Sequence, residues 1–271
     1  MSGAPAALLA SLLWGTADFL GGQASRRNPA AMVALVGQAF GLVVLALILA
    51  FHGVDSKAIA PGIVTGLLGA VAVLSFYRAL AVGTMSIVAP IVATSAIVPV
   101  LWGVFDGERP GALQWVGIVA ALTGVMLASN EPGGKAKNQR LALKLAFVAA
   151  LGIGISLVFL DRAAEHDALT AVAAARIAAV PILLAVVLFQ RTRAPLRAWP
   201  TFAFVGLLDT GANVTFAIAT TSGLLSLVAV LGGLFPVVTV ALAYFILHER
   251  LGPIQRAGVL LALAGIPLIS A

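Results

Sequence analysis

Three charged side chains stand deep inside long apolar runs: Asp18, Arg176 and Asp209. In hydrocarbon each costs roughly 2.5 to 3.5 kcal/mol on insertion scales, so each is expected to face a cavity, a partner or a substrate. Asp209 and Asn213 are four residues apart and share one helical face. A carboxylate in such a polar stripe suits a substrate ammonium or a transferable proton. It equally suits a buried ion pair with Arg176, which needs no ligand. Asp18, with Trp14 and Thr16 beside it, offers the same choice. Arg78, Lys144 and Arg256 lie near the ends of their apolar runs, where long basic side chains snorkel to the interface.

Catalysis finds no comparable support. His52, His166 and His248 fall at the ends of apolar runs, and the chain has neither HExxH nor a Gly-x-Ser-x-Gly elbow. Zero cysteines exclude disulfides and thiolate metal sites, and no metal or cofactor is expected. No GxxxxGK[ST] run is present to cradle nucleotide phosphates. Any transport is therefore secondary or facilitated.

The elements that must position these charges are membrane spans. With 61% apolar and 10% charged residues among 271, and a mean hydropathy of +1.10, the polar surface cannot cover a soluble globule. Runs of about 20 apolar residues predict spanning helices rather than barrel strands. Ten are predicted, at 5–24, 29–51, 58–80, 84–105, 111–129, 141–161, 168–189, 198–220, 223–247 and 253–271. The first is expected to be a span rather than a cleaved signal, since no Lys or Arg precedes it and it carries Trp14 and Asp18. The net charge of +6 resides in the connections, where it reads as topology and lipid-headgroup contact, not nucleic-acid binding. Odd-numbered connections hold most of it, a count that places both termini outside.

The chain also repeats itself. Residues 95–129 align without a gap with 236–270, pairing Glu108, Gly111, Gln114, Gly117, Ala121 and Gly124 with Glu249, Gly252, Gln255, Gly258, Ala262 and Gly265. The match extends backward, Phe76 pairing with Phe216 and Ser86 with Ser226. Five spans separate the copies, so they are expected to be inverted, as in many secondary transporters. The expected organisation is a first five-helix repeat at 1–130, a joint at 131–140 and a second repeat at 141–271. The small-residue faces of the fifth and tenth helices predict close packing on each other or on a neighbouring protomer. Glu108 and Glu249, just before those helices, are expected to satisfy exposed N–H groups and the positive end of the dipole.

Paired helix breaks point to a central site. Pro90 and Pro99 interrupt the fourth helix, and Gly232, Gly233 and Pro236 the ninth. Broken backbone at mid-membrane depth survives only in protein or beside a cavity. The expected cavity is lined by Trp14, Asp18, Tyr77, Arg78, Ser86, Thr94, Ser95, Arg176, Asp209, Asn213 and Phe216, with aromatic faces suited to an apolar or zwitterionic molecule.

Trp14-Gly15 in the first span, the Glu followed by a Gly-rich closing helix in each half, and Pro236 thirteen residues before Glu249 resemble the drug/metabolite transporter superfamily, specifically its ten-helix EamA-type exporters. The resemblance covers the whole chain. It departs where Ser95 stands opposite Pro236 and Gln38 opposite Arg176. It implies an all-α integral membrane protein with ten transmembrane helices in two inverted repeats around a central cavity. It further implies export of a small-molecule substrate across a cell membrane, most simply a bacterial inner membrane. That family's usual orientation has the termini inside, opposite to the charge count. Amino acids or similar metabolites fit the cavity best. Lipophilic-cation efflux would want a mid-span Glu, and phosphorylated sugar or lipid carriers would want several central cations. Proton coupling through Asp18 or Asp209, and a monomer or a homodimer, are all compatible with the sequence. A structural or receptor role remains the non-transport alternative.

Overall fold

The computed structural model describes residues 3–82, 88, 91–129, 138–248 and 251–270, and the side chains of residues 77, 80 and 81 lie outside that description. The described residues form ten helical segments. The first five are α1 (Ala4–Ser25), α2 (Ala30–His52), α3 (Ser56–Val82), α4 (Ile91–Phe105) and α5 (Ala112–Ala128). The second five are α6 (Gln139–Ala164), α7 (Ala168–Gln190), α8 (Trp199–Thr220), α9 (Leu225–Leu247) and α10 (Pro253–Ser270). Eight are long and apolar enough to cross a membrane, and α4 and α5 are shorter apolar helices.

The helices start and stop where the local chemistry directs. Proline opens α1 and α8 within their first two positions, where a missing N–H costs nothing. The Asn138 and Asp167 carboxamide and carboxylate accept from the Leu141 and Thr170 backbone N–H groups to cap α6 and α7. Gly53 ends α2 at φ 90°, and Arg191 and His248 end α7 and α9 in the left-handed conformation.

Packing follows a pseudo-two-fold pattern. α1 packs on α8 and α9, just as α6 packs on α3 and α4; α2 packs on α8 as α7 packs on α3. α2 with α7, α4 with α9, and α5 with α10 pair with their own counterparts. This is the expected two-repeat architecture of five helices each. With no hydrophobic driving force between helices in lipid, small residues bring the backbones together. A Cβ at Gly206 on α8 would collide with the Gly37 carbonyl of α2, and one at Gly66 on α3 with the Ala175 carbonyl of α7. α5 and α10 cross through Gly117, Gly124, Gly258 and Gly265, each against the partner's backbone or a small or branched side chain. Many bulky side chains point outward: Phe51, Phe105 and Phe189 are almost wholly exposed, as a lipid-facing surface requires.

Candidate functional site

The two helix breaks meet. In α9 the helix runs Leu225–Gly232, opens at Gly233 and Leu234, and resumes as Phe235–Leu247. Pro236 has no N–H to offer the carbonyl four residues back, so Gly232 loses its partner there. In α4 the chain tightens to a 3-10 turn at Thr94–Ala96 before the regular helix Ile97–Phe105. Pro99 itself sits inside that regular helix. Its effect falls four residues upstream, on the Ser95 carbonyl, which is where the tightening occurs. Thr94 Oγ1 donates to the Ile91 carbonyl at 2.6 Å, and Ser95 is buried. A Cβ on Gly233 would lie 3.2 Å from the Ala96 Cβ, so the α9 break rests on the α4 turn. Ser86 and Pro90 lie outside the described residues, as does the Tyr77 side chain.

Aromatic rings fill the α9 break. The Trp14 ring lies 5.4 Å from that of Phe216 and 6.3 Å, edge-on, from that of Phe235. Phe216 is fully buried, and any Cβ at Gly232 would meet its ring at 3.0 Å. Thr239 Oγ1 donates to the Gly15 carbonyl at 3.0 Å and to the Phe235 carbonyl at 3.1 Å, pinning α1 against the resumed helix. Phe235 escaped the sequence reading. Its proximity to Trp14 depends on the second repeat folding back on the first helix, which no local pattern announces.

The charges lie one helix away. Arg176 Nη2 donates to Asp209 Oδ2 at 2.5 Å, and Arg176 is buried. Asn213 Nδ2 donates to the Asp209 carbonyl at 2.7 Å and to its Oδ1 at 3.3 Å. Asp209 is thus held by a guanidinium and an amide. Asp18 is not held. α1 and α8 run antiparallel, with Leu13 beside Gly211 and Gly21 beside Val205, which sets Asp18 within about a turn of Asp209. The two carboxylates are close enough to repel. Asp18 is exposed, with no hydrogen bond or ion pair among the described residues. A carboxylate at that depth faces polar space rather than lipid tails. Arg176 Nε, Thr210 Oγ1 and Gln38 Oε1 are buried polar atoms without a partner among the described residues. Unpaired buried groups of this kind mark places for water or ligand.

Arg78 stands apart from this cluster. It lines a groove of about 310 Å³ among Pro29, Leu74, Leu183 and Gln190, at the end of the bundle where α1 finishes and α2 begins.

The opposite end is stapled across the halves. Glu108 accepts from the Leu225 and Ser226 backbone N–H groups, so it caps α9 of the other repeat rather than its own closing helix. The closing helices cap themselves: the Gly111 and Gly252 N–H groups donate to Gln114 and Gln255 Oε1, each at 2.9 Å. Glu249 lies outside the described residues. Arg162 holds both oxygens of Asp106 at 3.2 Å and stacks over Trp102. His52 Nε2 meets Asp167 Oδ2 at 3.1 Å. Burial pushes the Asp167 carboxyl up, but the Thr170 hydroxyl and backbone N–H together with His52 outweigh it and hold it below the usual carboxylate range.

Comparison with known proteins agrees with this architecture. The profile of the EamA-like transporter family matches residues 1–130 and 140–271. A solved structure titled "Crystal structure of protein" is 20% identical over 98% of this chain and 96% of its own, with a TM-score of 0.84, a likeness of fold. No curated protein matches the chain.

Proposed function

The chain belongs to the EamA-like transporter family, a multi-pass membrane transporter, and from that premise we propose that it exports amino acids or similar small zwitterionic metabolites by alternating access. The two halves, 1–130 and 141–271, rock about the α4 and α9 breaks and expose the site to one side at a time. The observation that carries this reading is the division of labour between two neighbouring carboxylates. Asp209 is occupied by Arg176 and Asn213, whereas Asp18, about a turn away, is exposed and has no partner among the described residues. In this reading Asp18 takes the ammonium group of the substrate. The free Nε of Arg176 offers a donor to its carboxylate, and Trp14 and Phe235 supply an apolar wall. Asp18 also carries the proton when transport is coupled to a pH gradient.

The test is uptake into proteoliposomes of purified protein, with labelled amino acids set against a lipophilic cation and a sugar phosphate. Amino-acid flux that falls at least tenfold in Trp14→Ala supports the reading. Flux of the cation alone keeps the family and removes the substrate class.

A further inference from the structure

The groove at Arg78 has a chemistry the central site does not use. Its walls are the start of α2 at Ala31, the last turns of α3 at Leu74, and the final two turns of α7 at Leu183, Val186 and Gln190. Leu183 at its floor is buried, and the volume of about 310 Å³ accommodates part of an acyl chain. At the rim stands Arg78, exposed and without a hydrogen bond or ion pair among the described residues. It lies one turn from the end of α3, at headgroup depth. The connections at this end of the bundle are basic: Arg26 and Arg27 follow α1, and Arg191, Arg193 and Arg197 follow α7. The groove also lies between halves, since α2 and α3 belong to the first repeat and α7 to the second.

We propose that this groove is a binding site for one anionic phospholipid, with its phosphate on Arg78 and an acyl chain along Leu74, Leu183 and Val186. Three observations converge. The cleft is walled by three spans, α2, α3 and α7, so its natural solvent is lipid rather than water. It is apolar except at the rim, which matches a lipid's division into tail and head. Among the described residues its only charged lining residue is a cation, at the end of the molecule whose basic connections seek an anionic leaflet. A lipid seated there touches both repeats.

The experiment is native mass spectrometry of the full-length protein released from micelles carrying phosphatidylglycerol or phosphatidylcholine. The wild type is expected to retain one phosphatidylglycerol at least tenfold more than phosphatidylcholine. Arg78→Gln is expected to abolish that preference, and Val186→Trp, which fills the groove, to reduce retention of both lipids. Lys57→Gln, at the other end of α3, serves as the control and keeps the wild-type pattern. Equal retention of the two lipids by the wild type overturns the proposal, as does an unchanged preference in Arg78→Gln. Displacement of the lipid by millimolar glycerol phosphate also overturns it, because that result assigns Arg78 to a soluble anion. Circular dichroism of each variant confirms that the helices are intact.

Discussion

The two halves pack alike but are charged differently. Gly37 of α2 meets Gly206 of α8, and Ala175 of α7 meets Gly66 of α3, so the α2–α8 and α7–α3 contacts are structural counterparts. At corresponding positions the second half carries Arg176 and Asp209, whereas the first carries Gln38 and Gly69. The pair stands at 2.5 Å in one half; in the other, among the described residues, Gln38 Oε1 is buried without a partner and the space around Gly69 is open. Packing is under the constraint of the repeat, because each small-residue contact needs the facing backbone at the same place in both halves. Polar chemistry is not.

The largest effect that sharpens this contrast is expected from Asp209→Ala. It strands a buried guanidinium, costs about 3 to 5 kcal/mol of stability, and reduces transport at least a hundredfold. Thermal unfolding and proteoliposome flux measure both. Replacing both partners, as Arg176→Met with Asp209→Leu, should recover most of the stability and none of the transport. A single Asp209→Ala variant that melts with the parent would show that the pair does not hold α7 to α8.

Transplanting the charge to the other half should be the next largest disturbance. The repeat correspondence predicts that Gln38→Arg alone brings an unpaired cation toward Gly69, at a cost of roughly 2.5 to 3.5 kcal/mol. Adding Gly69→Asp, for which there is room, should restore more than half of the lost melting temperature. No rescue would mean that the halves are not equivalent at this depth. Smaller still, Gly206→Ala and Gly66→Ala each press a methyl against the facing backbone and should cost about 1 to 3 kcal/mol. The two losses should agree within experimental error, because the contacts are counterparts. A large difference between them would break the symmetry argument.

The smallest effect belongs to the staple at His52 and Asp167. A carboxyl held below its ordinary range stabilises the fold fully above the unfolded Asp value. That contribution fades as the pH falls through the folded value. Asp167→Ala, which also removes the cap of α7, should therefore lower the melting temperature at pH 7 by an amount worth about 0.5 to 2 kcal/mol. Parent and variant should converge in strong acid. A gap that widens in acid would contradict the sign.

The helices were legible because membrane spans announce themselves by length and composition. The predicted runs 29–51, 168–189 and 198–220 meet α2, α7 and α8 within a residue at each end. The repeat was legible because Gly111, Gln114 and Gly117 recur with their spacing in Gly252, Gln255 and Gly258. What the sequence withheld lies between helices distant in the chain. Nothing local sends Glu108 across to the start of α9, and its nearer neighbour α5 already had Gln114 for the task. Arg78 was grouped with the central residues by its span, but its place one turn from the end of α3 takes it to the rim. The Arg176 and Asp209 pair was one of two options in the sequence; only the packing of α7 beside α8 selects it.

The proposed division of labour makes Asp18 the working carboxylate and Asp209 the anchored one. The measurement that tests it most directly is amino-acid uptake by proteoliposomes reconstituted with Asp18→Asn, with and without an imposed pH gradient. Loss of gradient-driven accumulation, with downhill exchange retained only at raised substrate concentration because the amide oxygen still accepts weakly from the ammonium, is the predicted result. Accumulation at the parental level under the gradient would contradict the account.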